Sequence, residues 1–576
     1  MAQGDSSRQA ILPILATLFA VIAAARIVST YRVFSETSDE PTHLASGMEW
    51  LDRGTYTFDV MNPPLARVAV ALGPFLAGLR LPDQNTPGDW GNEILYARGR
   101  YTRHLALARL GVLPFFLLAV FGVYAWTRRL AGSGAAVVSV LIFTTLPPIL
   151  AHAGLATTDM PFTALLVGAL FALTLWFERP TLLRSLALGA AAGLALLTKF
   201  SAVLFLLACG LAILGGRWLV YKYRAPTADV ERRPRLAAAA VATLAACLLI
   251  WAGYRFAFSL QPLSPASSRP HLTIDRYLGS SGILHRIAYF ADERVPVPAP
   301  GFFKGLRAAA DLNVRGTNAY LLGKVRPGGW WYFFLVALAF KSPIPFLILG
   351  GLGLVVSILD VRKHPDWRPL APPVAAAAIL LVTMPARINL GLRHILPTYA
   401  LLSIAAALGA TALWNAPRRR ALGRAVVAIL VTWQVVSSAR IHPDYLAYFN
   451  ELAGRHPERI LVDSDLDWGQ DVLRLSDALR ARRVDELSIA CFCSADLSQH
   501  LPRYTPLVPY KPTTGWVAIS LFDLEEGGWY QSKPVPPDAY SWLEAYQPVA
   551  LVGRSIRLYY IPTGAGAPPD QPRSTR

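Results

Sequence analysis

Hydrophobic positions in this chain come mostly as unbroken runs, without the alternation of a half-buried strand or the one-sided spacing of a soluble amphipathic helix. Runs of roughly 17 to 25 apolar residues cross a bilayer as α-helices. They fall near residues 10–30, 104–126, 134–151, 161–177, 184–198, 201–220, 236–258, 330–358, 371–385, 395–414 and 422–440, which predicts about eleven transmembrane helices. The first run passes Ala23-Ala24-Ala25 and continues through Ile27-Val28. It is long for a cleaved signal segment and is expected to be retained. Two polar intervals, 31–103 and 259–329, are long enough to hold structure of their own. In the first, a helical pattern runs from His43 through Glu49, Trp50, Leu51 and Arg53 until Gly54 breaks it, and a second short helix follows Pro64. Helices of this kind lie along the membrane interface, where Trp and Tyr favour the headgroup level.

After residue 441 the pattern shortens. Arg459–Asp463 is predicted as a strand, Asp471–Arg482 as an amphipathic helix, and Glu486–Phe492 and Trp516–Phe522 as two more strands. The fold class expected is therefore a polytopic α-helical membrane protein, residues 1–441, followed by a small soluble α/β domain, residues 442–576. Leu466–Gln470 forms a strand-to-helix corner on this reading. Such corners take ligands in α/β sheets, and a capped helix start with Trp468 as a packing residue explains the same letters.

Composition agrees with the bilayer as solvent. The 576 residues are 54% hydrophobic and 16% charged, with mean hydropathy +0.38, more apolar surface than a water-soluble core can hide. Arg128-Arg129, Arg179, Arg184, the run from Arg217 to Arg235, Arg362-Lys363 and Arg418-Arg419-Arg420 all fall on one side when the N-terminus is cytoplasmic. The long intervals and the tail then lie outside, and the chain belongs in the plasma (inner) membrane. The net charge of +18 is largely these helix-flanking clusters, which meet anionic membrane lipids; nucleic acid is not expected as a partner. The four cysteines make no disulfide framework. Cys209 and Cys247 lie in spans, and Cys491 and Cys493 alternate on a predicted strand, which suits neither a mutual bridge nor a zinc site.

Candidate chemistry starts at Asp39-Glu40-Pro41, just past the first span, backed by Asn62-Pro63-Pro64-Leu65-Ala66-Arg67. Carboxylates at a membrane edge are costly to desolvate and so are functional candidates. Asp159, in Thr157-Thr158-Asp159-Met160-Pro161, sits at the outer end of a span on the same side, either near the active centre or as a helix N-cap with Pro161 in the first turn.

The order of apolar helix, Asp-Glu, short helix, Pro-Pro-Leu, and then several spans with Thr-Thr-Asp-Met-Pro resembles the GT-C membrane glycosyltransferases. The nearest groups are the protein O-mannosyltransferases, the lipid A aminoarabinose transferases and the bacterial polyprenyl-phosphate-sugar-dependent members of glycosyltransferase family 39 type. The resemblance covers residues 1 to about 440, and Val462–Gln470 resembles the tail of the bacterial members. It implies that a sugar leaves a polyprenyl-phosphate donor on the outer face, with inversion, and joins a protein, lipid or glycan acceptor. The acceptor loses a proton as it attacks, so a carboxylate is needed as general base; the resemblance gives that role to Asp39. Glu40 orients the acceptor or serves as a first-turn acid at the positive end of a helix dipole. The departing phosphate needs cations. Arg393 in Gly391-Leu392-Arg393-His394 comes first for its phosphate-matched fork, followed by His394, Lys341, Lys199, Arg67 and Arg387. Relatives often carry His or Lys before Pro-Pro, where this chain has Asn62. Asn is a poorer metal ligand, and no metal or other cofactor is expected. The rival class is a transporter or flippase of lipid-linked sugars, which would show paired broken helices along a pathway; a scaffold whose tail binds partners is a third reading.

Overall fold

The computed structural model describes residues 2–82, 89–224, 236–259, 279, 281–287 and 296–563. Much of the 259–329 interval, the end of the basic run after Arg217 and the end of the tail lie outside the described residues. Eight helices among those described are long and apolar enough to cross a membrane, and Pro64–Leu76, Leu182–Leu196 and Arg368–Thr383 are shorter apolar helices. The stretch Tyr101–Thr144 holds two of the predicted spans. Its continuous helix is interrupted at Gly132, whose φ of 82° and ψ of 178° leave the helical region, so the chain turns there beside Arg128 and Arg129. The predicted single span 330–358 is instead two helices, Phe333–Lys341 and Ile344–Lys363. Ser342 between them is extended, with φ −101° and ψ 140°, the conformation imposed on a residue that precedes proline.

Leu396–Trp414 is the central helix, buried along nearly its whole length. It packs against Ile344–Lys363 so closely that a Cβ on Gly353 would lie 1.8 Å from the Ala405 carbonyl oxygen. Lipid gives helices no hydrophobic reason to associate, so small residues that let backbones meet hold such pairs together. Outer helices expose leucines, as Ser201–Arg224 does with Leu204, Leu207 and Leu211. The interfacial helices of the first interval are Glu40–Asp52, Pro64–Leu76 and Trp90–Tyr96. Pro63, extended with φ −67° and ψ 165°, launches the second of these.

In the tail, a five-stranded sheet runs in the order Ala550–Val552, Ile556–Ile561, Gly515–Ser520, Glu486–Ala490, Arg503–Pro506. The last three strands pair parallel and the others antiparallel. Alternation divides the side chains between two faces. Ala518 and Leu558 pack with Leu475 and Leu479 of the helix Val472–Ala481, while Val517, Ile519 and Tyr559 face Leu521, Tyr540 and Leu543. The predicted strand Arg459–Asp463 does not form. That stretch holds the 3₁₀ turn Pro457–Arg459 and the short helix Asp463–Leu466. Its apolar residues are used in another way: Ile460 and Leu461 are buried in the membrane-domain core and Val462 in the tail core, so the run bridges two bodies where a strand would have paired within one. The corner Leu466–Gln470 accordingly joins two helices. Glu486–Ala490 also ends before the cysteines; Cys491 and Cys493 are free, in the loop after it.

Candidate active site

Asp39 is the N-cap residue of Glu40–Asp52, with Pro41 in the first turn, but its side chain makes no cap hydrogen bond. Its carboxylate turns the other way and accepts a charged hydrogen bond at Oδ2 from Nη1 of Arg393. The Arg393 side chain is 11% exposed and that of Asp39 35%. Burial raises the Asp39 pKa, but Arg393 and His43 outweigh it and hold the carboxyl below its ordinary value. Arg393 is set by the 3₁₀ turn Leu392–Ile395. Its Nε donates to the Leu390 carbonyl at 3.2 Å, and its guanidinium carbon lies 4.4 Å from the centre of the Trp468 ring.

A second pair lies beside the first. Lys199 Nζ meets Asp159 Oδ1 at 2.5 Å, with Asp159 almost wholly buried and Lys199 13% exposed. The N-cap of Asp159–Glu178 is Thr158, so the Asp159 carboxylate is used by Lys199 and does not close the helix end. The two pairs share one neighbourhood: Ala156, three residues before Asp159, donates its N–H at 2.7 Å to Glu40, the residue next to Asp39. Three polar atoms in the same segments are buried without a hydrogen-bond partner among the described residues: His152 Nδ1, Thr157 Oγ1 and His394 Nε2. Buried polar atoms are seldom left unpaired, because desolvation is then uncompensated.

Other candidates are consumed by the scaffold. Both oxygens of Glu40 are taken: Arg109 reaches them at 2.8 Å each, and the backbone N–H groups of Ala156 and Thr37 donate at 2.7 Å each. Glu40 thereby ties the Asp39 loop to the loop before Asp159 and has no acceptor site left to orient a ligand. Arg67 is fully buried. It bonds the Asp59 carboxylate, the Tyr56 hydroxyl at 3.0 Å and His43 Nδ1 at 3.1 Å, which leaves nothing for a phosphate. The Asn62 carbonyl accepts from Tyr56 Oη at 2.6 Å, and Leu65 N donates to the Leu197 carbonyl at 2.9 Å, fastening the Pro-Pro corner beside Lys199. Lys341 finds its partners in the tail, donating to the Leu446 carbonyl at 2.7 Å and to the Asp465 carbonyl, over the Phe449 ring. Arg387 reaches the Val314 carbonyl at 2.6 Å.

The tail completes the site. Ser464 Oγ donates to the Leu390 carbonyl at 2.6 Å, and Asp465 accepts from Leu392 N at 3.1 Å. Gly391 has φ +91°, and a Cβ there would lie 2.2 Å from Ser464 Oγ; only glycine fits. Ser38 N donates to the Trp468 carbonyl and Ser35 N to the Gln470 carbonyl, at 3.1 and 3.0 Å. Asp463 stands near enough to Arg393 and Asp39 to feel both; burial raises its carboxyl to about 6, against the pull of Arg393. Sequence patterns singled out neither Asp463 nor His43. His43 carried a signal, since it lies four residues after Asp39 on one helix face; burial and Arg67 lower its pKa to about 4, so it is neutral. Asp463 carried only the resemblance of the whole stretch Val462–Gln470 to the tail of the bacterial members. Among the described residues no three His, Cys, Asp or Glu side chains are grouped to hold a metal ion.

The bundle of apolar helices, with shorter helices following the first span, has a fold similar to that of solved GT-C glycosyltransferases. The protein O-mannosyltransferase complex Pmt1-Pmt2 of S. cerevisiae, solved with its sugar donor, superposes with a TM-score of 0.50 at 12% identity, covering 85% of this chain and 94% of that one. ArnT from Cupriavidus metallidurans, solved with undecaprenyl phosphate, gives 0.43 at 14% identity, covering 94% and 97%. The oligosaccharyltransferase AglB from Archaeoglobus fulgidus gives 0.46 at 17%, covering 75% of this chain; the chain spans only 55% of that protein's length. Residues 104–251 match the family of dolichyl-phosphate-mannose-protein mannosyltransferases. No curated protein matches by sequence.

Proposed function

We propose that this protein transfers a sugar from a polyprenyl-phosphate carrier to an acceptor hydroxyl or amine at the outer face of the membrane, with inversion at the anomeric carbon. The observation that carries this reading is the Asp39–Arg393 pair, a base and a phosphate-matched cation held together at the end of the bundle. The fold shared with the O-mannosyltransferase complex and the family match over the segment holding His152, Asp159 and Lys199 support it. In the resting protein Arg393 depresses Asp39 and so weakens it as a base. A donor phosphate competes for the same guanidinium, and Asp39 becomes more basic as the donor binds. The acceptor oxygen or nitrogen then attacks the anomeric carbon, its proton passes to Asp39, and the bond from carbon to phosphate oxygen breaks with its electrons going to the phosphate. Arg393 and Lys199 stabilise that charge. His152, Thr157 and His394, each with a buried polar atom that has no hydrogen-bond partner among the described residues, are suited to the sugar or phosphate oxygens. Glu40 and Arg67 are positioning residues.

Arg393→Ala tests the phosphate contact. Loss of a charge-assisted hydrogen bond of about 1.5–3 kcal/mol corresponds to a donor affinity lower by about tenfold or more, with acceptor affinity unchanged. Equilibrium binding of a polyprenyl-phosphate sugar to the purified variant measures it, and unaltered donor affinity removes Arg393 from the site.

The outer-face assignment is tested by labelling single cysteines in a background without the native four. Thr102 and Ser532 are exposed at the Asp39 end and in the tail, and Arg419 at the other end; Ser46, although in the same interval, is fully buried and unsuitable. Cysteines replacing Thr102 and Ser532 should react with an impermeant thiol reagent in intact cells, and one replacing Arg419 only after permeabilisation. The reverse pattern would place the site in the cytoplasm.

A further inference from the structure

Five arginines, Arg129, Arg179, Arg184, Arg217 and Arg368, line one cavity of about 690 Å³. It lies at the far end of the bundle from the candidate active site. The helix Asp159–Glu178 measures the separation: Asp159 begins it and Glu178, a wall of the cavity, ends it. At 1.5 Å per residue this is about 30 Å, one membrane thickness.

The charges in the cavity do not cancel. Glu178 is shared by Arg129, by Arg184 at 3.7 Å and by Arg368 at 3.9 Å, while Arg368 also holds Asp366 at 2.7 Å. Five guanidinium groups thus face two carboxylates. Arg179 and Arg217 have no acidic partner among the described residues. Arg217 is instead held by rings: its guanidinium carbon lies 5.6 Å from the centre of Phe177, 5.4 Å from Tyr221 and 5.8 Å from Trp367. A concave site whose charges are mostly of one sign concentrates its field on whatever enters.

We infer that this cavity binds a phosphate-bearing anion, as a site separate from the donor site. Arginine forks match phosphate oxygens two at a time, the volume suits a small ligand, and basic pockets at span ends take anionic headgroups. The phosphate belongs either to an anionic lipid of the adjacent leaflet or to a soluble molecule. Helix-flanking arginines that served only to orient the chain in the membrane would bind neither saturably.

The test uses the purified full-length protein in neutral detergent. Phosphatidylglycerol, phosphatidylcholine and inorganic pyrophosphate are titrated separately, with bound equivalents counted by native mass spectrometry. Saturable binding of phosphatidylglycerol or pyrophosphate, and none of phosphatidylcholine, is expected, weakened about tenfold or more by Arg217→Gln and kept in Arg393→Ala. Phosphatidylglycerol alone identifies a lipid headgroup, pyrophosphate alone a soluble ligand, and both a site for the phosphate itself. Arg179→Gln, at an exposed position without an ion pair among the described residues, repeats the test if Arg217→Gln fails to fold. Absence of saturable binding by either anion overturns the inference, as does wild-type affinity in the folded variants.

Discussion

The Asp39→Asn protein is expected to transfer sugar about 100-fold or more slowly than the natural chain, the usual worth of a general base. Asn keeps the size of the side chain and a hydrogen-bond acceptor for Arg393 but cannot take the acceptor's proton. Because the substitution also releases Arg393 from an ion pair, donor affinity should hold or rise. That split, transfer lost and donor binding kept, separates a base from a structural residue, whose loss would lower both with the folded fraction. A transporter would still move lipid-linked sugar. Transfer measured with a panel of polyprenyl-phosphate sugars, alongside donor binding, decides the matter. A well-folded Asn variant with near-normal transfer would show that the proton goes elsewhere, and Asp463→Asn is then the next variant to make.

Removing the neighbouring carboxylate should act on stability instead. Glu40→Ala leaves Arg109 buried without its anion and strips acceptors from the Ala156 and Thr37 N–H groups. Breaking a buried ion pair from one side costs about 3–5 kcal/mol, and the melting temperature of the purified protein should fall accordingly. An unchanged melting temperature would contradict the role given to Glu40. Burial raises the Glu40 pKa, but Arg109 and the two N–H groups more than offset it and leave the carboxyl below its ordinary value. The stabilisation is therefore full above about pH 4.3, the unfolded value, and is lost only as acid takes the pH down through the lower folded value. Glu40→Gln is for this reason no neutral control for Asp39→Asn, although the two residues are adjacent and share a charge.

That contrast marks the boundary between what the chain alone determines and what folding decides. Long apolar runs specify helices wherever lipid is the solvent, because every backbone group must be satisfied within the segment. The spans, the interfacial helices on either side of Gly54 and the Pro-Pro corner were legible for that local reason. So was the position of Asp39 at the start of the helix that follows the first span. Sequence could not divide the labour among the charges, because a buried ion is defined by its partner, and the partners are distant in the chain: Glu40 with Arg109, Asp159 with Lys199, Asp39 with Arg393. Lys341, in an apolar helix, had the pattern of a site cation, yet its ammonium serves carbonyls of the tail more than a hundred residues later. Ile460-Leu461-Val462 had the pattern of a strand but is divided between two cores. Local pattern determined which segments form long apolar helices and placed an acid just after the first of them. Which of those charges remains available for chemistry was decided only by tertiary structure, since burial makes pairing obligatory and the fold alone brings the partners together.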